Sequence, residues 1–375
     1  HQYEIGLYQT NKKTQFIKDT DILSPKSAIF IKDELYINAL ERSATVVYNT
    51  NTWEKTNILE NNFHNVMLEK KKNYPYTIHN KNFIGKPVEF SHDDKNLWIS
   101  FYRFNWDTNS QQGSAIAQYD LKSKELVNIL PSGSIPKIIT ISPNLTTLTS
   151  THWGDNSIGI YENINNNYNY FHVNIEKPLN LKAVVGNRDK NCGFCLRGSV
   201  FTNDNKYLIV SRMGGGGLAF VDVINKKYIG STFNVPLTPR HLVLSKDGQT
   251  LYISTVASGE VAKIDMSKIY SDISVLENKE KSSIKMNDWN ILKLKSGVRT
   301  IVLSNDEKYI FATLNSSSEI AVIDSQSMNI IEKNKVASFP VGLAISEDDK
   351  YLAVTSQGKD GLGGGNHVDI FELKK

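Results

Sequence analysis

One pattern recurs seven times along this chain of 375 residues. An apolar run is followed by a turn rich in Asp, Asn, Gly or Lys, an aromatic-aliphatic run, a loop and a third apolar run. The copy between Asn191 and Val223 shows it clearly: Gly198–Thr202, Tyr207–Ser211 and Leu218–Val223, broken by Asn203-Asp204-Asn205 and by Met213 with four glycines. Runs this short, rich in Val, Ile, Phe and Tyr, form strands and not independent helices. The other copies span Pro25–Asn49, Gly85–Trp106, Ser134–Glu162, Pro239–Asp265, Val298–Asp324 and Pro340–Leu373. Aligned on the residue that opens the first strand, they start at 26, 86, 137, 197, 240, 299 and 341. Repeats of this length with about four strands each predict an all-β chain: a single seven-bladed β-propeller domain over residues 1–375. The last copy holds only three strands, so a run near the N-terminus, Glu4–Tyr8 or Thr14–Ile17, is expected to supply the fourth and close the ring. The stretches Asn61–Asn82, Asn163–Asn191 and Ser271–Asn287 break the pattern. They are read as polar surface excursions, the middle one mobile around Asn165–Asn167.

The repeat, as Leu251-Tyr252-Ile253-Ser254, Tyr351-Leu352-Ala353-Val354-Thr355 and Tyr207-Leu208-Ile209-Val210-Ser211, each with a later strand, resembles the YVTN-repeat (YncE-like) propellers. That resemblance runs from about Pro25 to the end and implies an exported bacterial protein, periplasmic or associated with the envelope surface. It carries no catalytic motif, and fold likeness alone does not set an activity. A net charge of +4 is too small to imply nucleic-acid binding without a concentrated patch. No run approaches the 18 or so apolar residues of a membrane helix. The chain opens at His1 without a basic-apolar signal region, which reads as a mature or trimmed N-terminus.

In a propeller the first residue of each inner strand sits at the mouth of the central channel. Those residues are Lys26, Lys86, Lys137, Arg197, Arg240, Arg299 and Val341, six basic out of seven. A cationic ring that binds an anion is the functional expectation. Its plain counterpart is neutralisation by acids in the loops between second and third strands: Glu41, Asp107, Asp155, Glu260, Glu319 and Asp360. The blade opening at Arg197 has no such acid and carries Arg212 with Gly214, Gly215, Gly216 and Gly217 instead. Arg197 and Arg212 are therefore the predicted unpaired heart of an anion site, with glycine amides beside them. Lys137, His152, Trp153, Arg240 and His241 complete the candidate ligand-binding set. Histidines here are as readily structural, and the tryptophan as readily packing.

Cys192 and Cys195 are the only cysteines, spaced C-x-x-C. Haem attachment would need His after the second Cys, where Leu196 stands. A thioredoxin-type centre would open a helix, and a structural zinc would need two further ligands. The exported compartment implied by the family resemblance favours a local disulfide. No cofactor is expected from these residues. The expected function is binding of an anionic small molecule or of an acidic protein or glycan partner. A propeller enzyme of lactonase or haem/redox type is the alternative, and single-stranded nucleic acid on the basic face is the third reading.

Overall fold

Each repeat copy builds one sheet, and seven sheets stand around a central channel. The computed structural model describes residues 4–5, 19–64, 68–69, 71–164, 167–178, 186–234, 236–286, 288–358, 361 and 363–374. Blade 1 is Pro25–Ile31, Glu34–Ala39, Ala44–Asn49 and Lys55–Glu60, paired antiparallel in that order. Blades 2 to 6 have inner strands Phe83–His92, Pro136–Ile141, Leu196–Phe201, Pro239–Leu244 and Val298–Leu303. Blade 7 runs Pro340–Ile345, Tyr351–Ser356 and His367–Lys374. Its fourth strand is Glu4–Ile5, with Glu4 opposite Lys374 and Ile5 opposite Leu373. The seven-bladed fold and its N-terminal closure are therefore as the repeat predicts.

The apolar residues do not gather in one core. They form seven clusters, one in each cleft between neighbouring blades. Tyr36, Ile99 and Phe101 lie between blades 1 and 2. Phe311, Val354 and Phe371 lie between blades 6 and 7. Alternate residues of each strand thus face one neighbour or the other, as period-two sheet geometry requires.

The turns between first and second strands share a device. Ser245 Oγ donates to Asp247 Oδ1 at 2.6 Å, while the Thr250 amide donates back to Ser245 Oγ at 3.0 Å. Ser304 with Asp306 and Ser346 with Asp348 repeat it. This explains the recurrent Ser-x-Asp pattern: the hydroxyl closes the turn and the carboxylate holds the hydroxyl.

At the opposite face, the residue before the inner strand lies in the left-handed region in five blades: Ser24, Ile135, Cys195, Thr238 and Phe339, at φ of 46° to 60°. In four of these the next residue is proline, which fixes the chain as it turns into the channel.

The three insertions correct the expectation of surface excursions. Tyr74 and Tyr76 are buried with Tyr161, Tyr168 and Tyr170 between blades 2 and 3. Asn167–Asn174 is the outer strand of blade 3. Met266–Glu277 is an α-helix whose Met266, Ile269, Ile273 and Leu276 recur at helical spacing and are all buried between blades 4 and 5. Asn165 and Asn166, part of the run expected to be mobile, lie outside the described residues.

Candidate functional site

The second residue of the inner strand faces the channel in six blades, and in blade 2 the register differs from the sequence alignment. Phe83–His92 shifts register twice, between Gly85 and Pro87 and between Pro87 and Glu89. The carbonyl of Val88 accepts from Ser27 Oγ at 2.8 Å, as that of Val341 accepts from Thr300 Oγ1 at 2.6 Å. Val88 therefore holds the ring position. Lys86 is displaced two residues out and faces Arg103 and Glu41 instead. The ring is five cations, Lys26, Lys137, Arg197, Arg240 and Arg299, with valines in blades 2 and 7.

Hydroxyls fix the arc of blades 2 to 5 from behind. Ser100, Thr151 and Ser211, on second strands, donate to the carbonyls of Lys137, Arg197 and Arg240 in the next blade at 2.8, 2.7 and 2.9 Å. The amide of Gly198 donates to Ser211 Oγ at 2.7 Å, so one hydroxyl joins two inner strands. A Cβ at Gly198 would sit 2.4 Å from the Arg240 carbonyl oxygen, which is why this position has no side chain.

The five cations line a cavity of about 370 Å³ with Trp153, Asp189, Met213, Phe339, Gln357 and Gly361. A second chamber of about 250 Å³ lies along the channel, bordered by Lys26, Glu89, His241, Thr300 and Ser199 among others. Lys26 belongs to both. Arg197 Nη2 donates to Glu89 Oε1 at 2.6 Å, while its Nη1 is buried without a partner. The Arg240 guanidinium donates to Thr300 Oγ1 and to the Arg299 carbonyl. Lys137 lies 5.1 Å from the Tyr102 ring and 5.4 Å from Trp153, and Arg299 lies 5.0 Å from Phe339.

The charges perturb one another. Burial, then Arg197, brings Lys137 down to about 7. Burial, then Arg240, Lys137, Arg197 and Arg299, pushes Lys26 well below the usual lysine value. Burial would raise Glu89, but Arg197, Arg240 and His241 outweigh it and hold the carboxyl below its ordinary range. Burial lowers His241 to about 4, so its imidazole is neutral at pH 7. Arg240 is pushed down by burial, Arg197 and Arg299, yet a guanidinium keeps its charge. The result is uncompensated positive charge in a confined space.

Several expected participants are elsewhere. Arg197 and Arg212 are not an unpaired couple, which corrects that expectation. Arg197 pairs with Glu89, and Arg212 pairs with Glu176 and lies 4.2 Å over Phe194. Arg212 and the glycine run are absent from the cavity lining. The amides of Gly214 and Gly217 donate to the carbonyls of Phe194 and Pro236. A Cβ on Gly215 would meet the Phe194 ring at 2.6 Å, so the run is a close-packing surface for the Cys192–Cys195 loop. Those cysteines form a disulfide.

His152 is fully buried: its Nδ1 meets Ser157 Oγ and its Nε2 meets Ser150 Oγ, each at 2.7 Å, with Asp155 behind. Burial, against Asp155, lowers it to about 3. The Gly133 amide donates to Nε2, so this Ser-His-Asp grouping is a satisfied internal network and not an activated nucleophile.

Among the described residues, none of Glu41, Asp107, Asp155, Glu260 or Glu319 pairs with a ring cation, so the neutralising acids of the plain reading do not act that way. Asp107 instead accepts from the amides of Gln111 and Gln112. Asp155 accepts from Ser134 and Tyr76. Asp360 lies outside the described residues. The acids that do face the ring are Glu89 and Asp189, both missed in the sequence. Glu89 was hidden by the two-residue slip. Anchoring on proline would have found it, since Pro87-Val88 matches Pro340-Val341.

Among the described residues no three His, Cys, Asp or Glu side chains gather as metal ligands. The channel offers Glu89 and His241 amid the ring cations, a donor set that opposes a divalent ion.

A family model described as "Lactonase, 7-bladed beta-propeller" matches residues 197–371. Antigen Lp49 of Leptospira interrogans (serogroup Icterohaemorrhagiae, serovar copenhageni) is 22% identical over 282 residues, 69% of this chain and 52% of its own. The chain thus spans about half the length of that curated relative. Among solved structures, a streptogramin B lyase superposes with a TM-score of 0.64 at 10% identity, covering 100% of this chain and 97% of that one. Kuenenia stuttgartiensis hydrazine synthase gives 0.63 at 12% identity, covering 94% and 97%. At such identities the structural likeness speaks for the fold alone.

Proposed function

We propose that this propeller is an exported binding module whose channel mouth takes an anionic group, a carboxylate or phosphate, of a small molecule or of an acidic partner. The observation that carries this reading is the convergence of Lys26, Lys137, Arg197, Arg240 and Arg299 on one cavity, faced by only Glu89 and Asp189 among the described residues. An entering anion relieves the mutual repulsion and accepts charge-assisted hydrogen bonds from forks already held in place. The exported setting is supported by the disulfide, and no helix among the described residues is long and apolar enough to cross a membrane. The test is calorimetric titration at low salt with inorganic phosphate, sulfate, citrate and an acidic peptide. Each charged hydrogen bond is worth about 1.5–3 kcal/mol. Arg197→Ala and Arg240→Ala should therefore each weaken binding by roughly ten- to a hundredfold. Arg212→Ala, outside the cavity, should leave affinity within about twofold. Failure of every probe to bind, or an equal loss in Arg212→Ala, defeats the reading.

A further inference from the structure

Of the five ring cations, Lys26 is set apart by its neighbours. Lys137 lies against Tyr102 and Trp153, Arg197 holds Glu89, Arg240 bonds Thr300, and Arg299 lies against Phe339. Among the described residues, the Lys26 amine has no hydrogen bond, ion pair or ring contact. On either side of it the ring positions are Val88 and Val341, neither of which carries a polar side chain. It borders both chambers: the arginine-lined mouth and the inner space with Glu89 and His241.

We infer that Lys26 is a nucleophilic amine and that the channel mouth takes an oxo-carboxylate, which it captures as an imine. This rests on the anion reading of the same cavity. The carboxylate is received by Arg240, Arg299 and the free Nη1 of Arg197, which leaves an adjacent carbonyl carbon near the one ring amine without a partner. The Nζ lone pair adds to that carbon. The C=O π pair moves onto oxygen, which takes up a proton as Nζ gives one up, forming a carbinolamine. Its hydroxyl then leaves as water, carrying off the second Nζ proton, and the C=N bond forms. No oxidant, reductant or co-reactant is needed. Glu89 and the neutral imidazole of His241, lining the chamber that Lys26 enters, can relay these protons.

The groups facing Lys26 favour the required free amine. Arg240, Lys137, Arg197 and Arg299 all oppose its protonation, as burial does. A lysine desolvated beside other cations is a recognised way to obtain a nucleophile at neutral pH. Charge repulsion thus has a use beyond attraction of the anion: it keeps one ring member uncharged.

The experiment is reductive trapping. Full-length protein is incubated with pyruvate and cyanoborohydride at pH 7.5, digested and mapped by mass spectrometry. A single reduced adduct on the peptide carrying Lys26 is expected, with at least tenfold higher yield than at any other lysine. Lys26→Arg has no primary amine to condense, so adduct formation should fall to background while its circular dichroism and melting transition show the protein folded. Lactate, which has no carbonyl, is titrated against wild type to read the anion site separately. If wild type binds lactate and phosphate but gives no adduct, or adducts spread evenly over the surface lysines, the inference is overturned and the anion reading stands. If neither lactate nor phosphate binds, the anion reading fails with it. Persistence of the adduct in Lys26→Arg also overturns the inference.

Discussion

Lys137 shows how a single ring residue couples the site to pH. Its ordinary value in an unfolded chain is 10.5, and in the channel it is about 7. Between these values the unfolded chain binds the extra proton, so stability rises with pH across that window. The penalty is full below about 7 and fades towards 10.5; Lys26 acts in the same direction. Unliganded protein should therefore melt at a higher temperature at pH 9 than at pH 7, and Lys137→Met should flatten that rise. A melting temperature that falls between pH 7 and 9 in wild type contradicts the assignment. Above about 10 the buried tyrosines, among them Tyr74 and Tyr170, pull the other way. Burial raises their pKa values, so the unfolded chain loses those protons first.

At the scale of the element, the second strands carry the burden of alignment. Ser211 bridges the Gly198 amide and the Arg240 carbonyl, so Ser211→Ala leaves a buried carbonyl and amide poorly paired. The expected cost is about 1–3 kcal/mol in a urea titration, with phosphate affinity falling although no ligand contact is removed. An unchanged midpoint would show that the hydroxyl is replaceable. The same strands explain what was legible beforehand. The aromatic-aliphatic runs and Ser-x-Asp turns repeat because every blade solves the same packing problem, so blade number, closure and the cationic ring could be read from one chain. Lys86 could not be placed, because bulges alter strand register without leaving an apolar signature. The Arg212 partner Glu176 and the well acid Asp189 sit in an insertion that follows no repeat, and their positions come from tertiary packing alone. His152 could equally have faced outward by spacing; its burial comes from packing among Ser150, Ser157, Asp155, Gly133 and His172.

For the whole molecule, stability is spread over seven clefts, and each blade depends on two neighbours. Blade 7 depends on the far end of the chain as well, through Glu4 and Ile5. Deleting residues 1–5 bares the edge of His367–Lys374, and both aggregation and loss of thermal stability should follow. Light scattering on heating measures the first and differential scanning calorimetry the second; a truncated chain that melts with the wild type would show the closure to be dispensable. Ring closure also sets the width of the channel, since no central core props it open or shut.

The crowded cations of the ring have a mechanical counterpart in this architecture. Repulsion among Lys137, Arg197, Arg240 and Arg299 acts outward on the inner strands, so the ring resembles a barrel under pressure from within. The interblade hydroxyl bonds are its hoops. Ser100, Thr151 and Ser211 bind staves 2 to 5, behind Lys137, Arg197 and Arg240. The joint in the barrel is blade 7, completed at its outer edge by two residues from the other end of the chain, while its inner strand carries Val341, which adds no charge of its own. A barrel built this way springs first at its joint, and a bound anion tightens it by lowering the pressure inside.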